Sequence, residues 1–302
     1  MKKTLAIVIP AYKIQYLNDT LQSLVNQTCL RFNVYIGDDC SPNPIRDIVE
    51  PFFNRIEVSY IRFDTNLGGR SLVQQWYRCV NLTFEDYIWL FSDDDVLPND
   101  AVERFWQFEE EHRGNFDICR FQLDFIDGQS KHMLTLGRHP LWQSASDFLK
   151  ERLLGTTLSA ASEYVFTRRA YLQYGFVEFP VAWCSDDASW VQMGEKRGLF
   201  TIEGAPVLMR MSGDNISSSN FQTEQRFEAV IQFLQWISPR YNIDQSTLTE
   251  YIRTQIVILN VHFITRCKLL KCTCITNLSK LSLLLNNNIF YKVLTRFLSM
   301  RK

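Results

Sequence analysis

The chain has 302 residues, is 46% hydrophobic and 14% aromatic, and carries a formal net charge of −1. It can bury a large core, and one catalytic domain with an appendage suits this length better than two equal domains. No run reaches the roughly 18–20 apolar residues of a membrane span, and the eight cysteines form no C-x-x-C pair, so a spanning protein and a zinc ribbon are set aside.

Leu5 to Pro10, after Met1-Lys2-Lys3-Thr4, could pass for a signal peptide. Its apolar stretch is too short and no small-residue cleavage site follows, so it reads as a first strand running into the loop Ala11-Tyr12-Lys13. A helix near Asn18 to Gln27 carries Leu21, Leu24 and Val25 on one face. Phe32 to Ile36 is a second strand, ending at Gly37-Asp38-Asp39-Cys40-Ser41. A short helix near Pro44 to Phe53 leads to a third strand, Ile56 to Phe63, then to Asn66-Leu67-Gly68-Gly69-Arg70 and a helix with Leu72, Val73, Trp76 and Val80. The fourth strand, Tyr87 to Phe91, ends in Ser92-Asp93-Asp94-Asp95. Its uninterrupted apolar character suits a strand covered on both faces. Strand–helix alternation with polar motifs at the strand ends predicts an α/β domain, a mostly parallel sheet flanked by helices, with ligands beyond the carboxyl ends of the strands.

The next segments are a helix near Asp100 to His112, a strand over Phe116 to Phe125 and a helix near Ser146 to Leu154. After Ser159 to Arg169 comes Trp183-Cys184-Ser185-Asp186-Asp187, where Ser185 is the expected N-cap of a helix toward Arg197. A strand over Ala205 to Met211 ends at Ser212-Gly213-Asp214-Asn215, and helices near Thr223 to Ile237 and Thr247 to Leu270 follow.

Three adjacent carboxylates at a strand end repel one another, and a hard divalent cation would relieve that repulsion and bring phosphates with it. A solvated acidic turn is the plain alternative. There is no G-x-G-x-x-G after the first strand and no Walker-type loop, which removes the main support for a dehydrogenase or P-loop enzyme.

The ordered set of motifs over residues 4–217 resembles inverting glycosyltransferase family 2, a group with a Rossmann-like nucleotide-diphospho-sugar fold. The resemblance implies transfer of a sugar from a nucleotide-diphosphate sugar to a hydroxyl of a glycan or lipid-linked glycan, in bacterial surface polysaccharide assembly. It places the donor nucleotide on Pro10, Ala11, Tyr12, Asp39, Asn66, Gly68, Gly69, Arg70 and Asp93. Asp39 would accept the N–H of the base. Mn²⁺ or Mg²⁺ would sit on Asp94, with Asp95 assisting or holding the loop; Ser92 stands where the family's first acid usually does. Asp187 takes the family's general-base position and Asp186 stands in for its Glu; partial burial is expected to raise the base's pKa. On the acceptor side the resemblance points to Glu163, Trp183 and Arg210. The family's later metal-side histidine is missing near Arg210 to Asn215.

Beyond Ile252 the chain has nine Lys or Arg and no acid, leaving 23 basic and 33 acidic residues before it. Residues 1–220 therefore read as the catalytic domain and 221–302 as a basic helical extension. Apolar segments interleaved with Lys and Arg over 252–302 suggest a peripheral contact with anionic lipid at the inner face of the cytoplasmic membrane, or packing on the catalytic domain. No nucleic acid is expected as a partner. The scattered cysteines fit reduced thiols in the cytoplasm. Two rivals are a nucleotidyltransferase, for which Ala11-Tyr12-Lys13 is a poor signature, and a non-catalytic nucleotide- or glycan-binding module.

Overall fold

The chain divides into two compact units, Met1–Phe221 and Gln222–Lys302. The computed structural model describes residues 3–135, 138–213 and 222–258. Asp214, Asn215, the clustered Cys267, Cys272 and Cys274, and most of the basic extension lie outside the described residues.

The first unit opens with strand β1 (Leu5–Ala11), helix α1 (Leu17–Val25), β2 (Asn33–Asp38), α2 (Ile45–Val49), β3 (Val58–Arg62), α3 (Leu72–Val80) and β4 (Tyr87–Leu90). Helix α4 (Ala101–His112), β5 (Ile118–Asp127), β6 (His132–Thr135), β7 (Trp142–Gln143) and α5 (Ala145–Leu154) follow. Then come β8 (Tyr164–Thr167), α6 (Arg168–Tyr174), α7 (Ser185–Gly194) and β9 (Leu199–Met211). The strands form one sheet in the order β3-β2-β1-β4-β8-β5-β9-β7, with β6 on β5.

The expected parallel arrangement runs through β3, β2, β1 and β4 and returns where β9 pairs with β5. Between these blocks β8 inserts antiparallel to both β4 and β5, so the sheet as a whole is mixed. Every residue of β8 is buried, and no alternation in it marks its direction. The core explains the apolar character of the central strands: Leu5 to Ile9 are wholly buried, and Trp89 of β4 stacks on Phe121 of β5 with centroids 4.8 Å apart. Ser71 and Ser144 cap α3 and α5 by accepting the Gln74 and Asp147 backbone N–H groups, each satisfying an orphan donor of a first turn.

Helix α7 begins differently from the expectation. Cys184, in the left-handed region at φ 63°, precedes it, and Ser185 is already helical. The Ser185 hydroxyl accepts the Phe179 N–H instead of capping the helix. Asp186 and Asp187 still fall in the first turn, where carboxylates complement the helix dipole.

In the second unit α8 (Thr223–Ile237) and α9 (Gln245–Ile258) pack together, with Phe233 against Tyr251 at 6.2 Å. Among the described residues no helix is long and apolar enough to cross a membrane.

Candidate active site

The loops leaving β1, β2, β3 and β4 are laced into one rim by side chains that bond backbone groups. Asp93, after β4, accepts the Tyr12 and Lys13 N–H groups of the β1 loop on a single oxygen, at 2.9 Å each. Ser41, after β2, donates its hydroxyl to the Tyr12 carbonyl at 2.6 Å, and the Asp39 N–H reaches the Ala11 carbonyl. Asp39 in turn accepts the Leu67 and Gly68 N–H groups of the β3 loop at 2.7 and 2.8 Å. The conformation of each loop is thereby tied to its neighbour.

Both glycines of the β3 loop are needed for close approach. A Cβ on Gly68 would lie 2.5 Å from the Asp39 carboxylate, and one on Gly69 would lie 2.7 Å from the Asn66 side-chain oxygen that accepts the Gly69 N–H. Arg70 is exposed on this rim and Tyr12 is 40% exposed, whereas Ala11 is buried and Pro10 is partly so. The expectation for Asp39 changes here. Besides the two backbone donors its carboxylate takes an Arg78 N–H at 2.5 Å, so three of its roughly four lone-pair positions are filled. Its main work is to shape the Asn66–Arg70 turn, with one position left on Oδ2.

The three acids after β4 have separate surroundings. Asp95 is buried; it accepts the Ser162 hydroxyl at 2.5 Å on one oxygen and the Arg210 N–H at 2.9 Å on the other. Burial, and then the Asp94 charge, push its pKa up to about 7. Through these two bonds Asp95 holds the loop to Ser162 and to β9, and each oxygen keeps one lone-pair position. Asp93 is likewise pushed up to about 6, by burial first and the Asp94 charge second. Asp94 accepts the Ser92 hydroxyl at 2.6 Å on Oδ1, and its Oδ2 faces the Lys13 ammonium at 3.3 Å.

Arg210 and Glu163 are corrected too. Arg210 is wholly buried: its guanidinium donates to the Asp94 and Asp127 carbonyls and the Ser130 hydroxyl, and pairs with Asp19 at 3.3 Å. It braces the acidic loop from beneath and is not presented to an acceptor. Glu163 is also wholly buried, pairing with His139 at 3.3 Å and accepting the Ala160 N–H. It belongs to the interior.

At the start of α7, Asp187 lies in a guanidinium fork. The Arg152 Nε and a terminal nitrogen of α5 donate to its two oxygens at 2.9 and 2.8 Å, and Arg152 also holds the Thr157 carbonyl. Nothing near Asp187 in sequence signals this partner, 35 positions upstream. The carboxyl of the neighbouring, partly buried Asp186 is pushed up to about 7 by burial and then by the Asp187 charge. Partly buried Trp183 sits in a strained approach to the helix: Val181, Ala182 and Cys184 have φ of 52°, 57° and 63°. Such backbone strain concentrates where surrounding structure must aim a functional group.

A model of glycosyl transferase family 2 matches residues 6–175, which takes in the four laced loops and the acidic triplet. The chain belongs to that family. This family 2 glycosyltransferase is 27% identical over 193 residues to a poly(ribitol-phosphate) beta-glucosyltransferase of Bacillus spizizenii, covering 56% of its own length and 30% of the relative's. It is 23% identical over 231 residues to TuaG of Bacillus subtilis, named for teichuronic acid biosynthesis, covering 74% of its own length and 86% of TuaG. Its fold is similar to that of Staphylococcus aureus TarS 1–349, solved in complex with UDP-GlcNAc. There the TM-score is 0.63 at 16% identity, over 89% of this chain and 79% of that one. The chain spans about a third of the length of the first curated relatives it matches.

The divalent cation implied by the family can be weighed against these side chains. Among the described residues no group of three His, Cys, Asp or Glu is arranged to hold a metal ion. Asp94 is the one acid of the triplet that accepts no backbone N–H of another segment, and both backbone bonds to Asp93 fall on Oδ2. Magnesium-like ions are commonly held by one or two carboxylates together with substrate phosphates. The residues of this glycosyltransferase therefore fit a cation shared with a diphosphate, not one caged by protein alone.

Proposed function

We propose that this chain transfers a sugar, with inversion, from a nucleotide-diphosphate sugar to a hydroxyl of a glycan or lipid-linked glycan, in assembly of a teichoic- or teichuronic-acid type of surface polysaccharide. The observation that carries the proposal is the lacing of the β1, β2 and β3 loops to the acidic loop after β4. It gathers backbone N–H groups, an exposed tyrosine and arginine, and two carboxylates at the carboxyl end of parallel strands, where α/β sheets bind ligands. The UDP-GlcNAc complex of TarS and the names of the curated relatives support the donor and acceptor classes.

In this reading Pro10 to Tyr12 and the Asn66–Arg70 turn receive the nucleotide, with Arg70 reaching a phosphate. Asp94 and the free oxygen of Asp93 hold the cation, and a bound Mn²⁺ or Mg²⁺ would offset charge growing on the leaving diphosphate. Asp187 takes the acceptor hydroxyl's proton. Arg152 fixes the plane of its carboxylate and leaves the outer lone pairs for that hydroxyl. Trp183 offers a ring for a sugar face.

A second assignment of the base is favoured by one observation, the Asp186 carboxyl pushed up to about 7, near the pH at which a general base works best. Calorimetric titration with UDP and UDP-sugars, with and without Mn²⁺, is the first test; no heat with any nucleotide diphosphate overturns the function. Asp187→Asn is expected to keep donor binding and lose turnover by about 10²-fold or more. If Asp187→Asn turns over normally while Asp186→Asn does not, the role of base moves to Asp186. The basic extension is proposed to dock on anionic lipid, as judged by flotation of the full chain with vesicles.

A further inference from the structure

Two cations brace the acidic triplet, and they differ in exposure. Arg210 is wholly buried and its guanidinium is spread over two carbonyls, a hydroxyl and Asp19. Lys13 is anchored by its backbone, whose N–H binds Asp93, but its side chain is 40% exposed and reaches Asp94 Oδ2 at 3.3 Å through a flexible four-carbon stem. Asp94 is only 6% exposed and has Asp93 and Asp95 as immediate acidic neighbours, so the partly exposed ammonium compensates part of its charge.

A divalent cation drawn to Asp94 would compete with the Lys13 ammonium for the same carboxylate charge. Ammonium and metal held together on one carboxylate would repel each other strongly. Lys13 also belongs to the β1 loop, between Tyr12 and α1, on the rim that the proposed function gives to the donor nucleotide.

We infer that Lys13 is a tethered counter-cation for Asp94: it holds the site without metal, disfavours metal binding to the nucleotide-free protein, and moves to the donor's diphosphate when nucleotide and metal enter together. This rests on the donor reading given above. It makes the binding of divalent cation and nucleotide mutually reinforcing, because the diphosphate supplies both ligands for the metal and a new partner for the displaced ammonium. Retention of one positive charge, not the shape of the lysine, is what the device requires.

The test is Mn²⁺ binding to the full chain, followed by the electron paramagnetic resonance signal of free Mn²⁺ and so independent of turnover. Without nucleotide, Lys13→Gln is expected to bind Mn²⁺ about three- to tenfold more tightly than wild type, the effect of removing a partly exposed competing charge. Lys13→Arg should stay within about twofold of wild type, since the charge remains. In EDTA, Lys13→Gln should bind UDP more weakly than wild type, with a shallower dependence on salt. Thermal melting of each variant confirms that it folds; the Lys13 backbone bond to Asp93 survives both changes.

Equal Mn²⁺ affinity of wild type and Lys13→Gln, or equal behaviour of the Gln and Arg variants, would overturn the inference. The donor reading fails separately, if wild type binds neither UDP nor Mn²⁺ with UDP. With UDP present, Asp94→Asn should abolish Mn²⁺ uptake in either Lys13 background, and retained uptake would also overturn the inference.

Discussion

Replacing Asp95 by Asn should make the metal-free protein more stable at slightly alkaline pH, with a gain that shrinks as pH falls toward 3.8. Asp95 lies between two donors that an amide can accommodate. The amide oxygen can accept the Arg210 N–H, and the amide nitrogen can donate to Ser162 Oγ, which already accepts from Ser92. What the substitution removes is the cost of ionising a buried acid beside Asp94, seen as a pKa raised from 3.8 to about 7. At about 1.4 kcal/mol per unit, the ceiling on that cost is ~4 kcal/mol. Loop relaxation and water entry recover about half of such penalties, leaving ~2 kcal/mol. The sign follows from the direction of the shift. A folded-state pKa above the unfolded value favours folding below pH 3.8, and that contribution is lost as pH rises through about 7. Melting curves in EDTA between pH 5 and 8 read it directly. Asp95→Asn should melt about 4–8 °C above wild type at pH 8, at roughly 2–4 °C per kcal/mol for a domain of this size. The difference should narrow steadily toward pH 5, about a third of it being left there because the loss begins near pH 3.8. A variant that melts no higher than wild type at pH 8, or a difference that ignores pH, would refute the reasoning.

Gly68→Ala should weaken UDP binding about tenfold and destabilise the protein by ~1–2 kcal/mol, because its Cβ meets an Asp39 carboxylate that three donors hold still. Gly69→Ala should do less, since the Asn66 amide it meets can turn away; the reverse order in calorimetry would show that Asp39 does not set this turn. Arg152→Met should cost ~2–3 kcal/mol, as it strands the Asp187 carboxylate. Adding Asp187→Asn should recover ~1 kcal/mol or more, and a strictly additive double-mutant cycle in urea unfolding would show the fork to be energetically idle.

The parallel half of the sheet was legible because its strands are short apolar runs punctuated by polar loops. Expected bounds such as Ile56 to Phe63 differ from Val58–Arg62 only at frayed ends. The second half was harder. β9 starts at Leu199, before the expected Ala205, because Glu203 and Gly204 interrupt its apolar pattern at a shift of register against β5. β8 could not be placed between β4 and β5 from its own residues, since strand order is decided by distant packing.

The candidate site divides in the same way. The acidic triplet and the glycine loop announce themselves locally. The parts played by Arg152, Ser162 and Arg210 depend on partners 35, 67 and 115 positions away. A buried arginine and an exposed one look alike in a sequence, which is why Arg210 was expected to face an acceptor. Lys13 carries no local signal of its contact with Asp94, because a lysine in a loop is ordinarily a solvated charge.

The rim is held chiefly through main-chain atoms. Asp39 and Asp93 grip the amides of Tyr12, Lys13, Leu67 and Gly68, while the side chains of Tyr12 and Leu67 take no part in those bonds. Positions 12 and 67 can therefore change their chemistry while the loops keep their course. A chain wired in this way separates the course of its rim loops, the proposed nucleotide seat, from the surface those loops present. Libraries at those two positions offer a route to new donor preferences without rebuilding the catalytic frame.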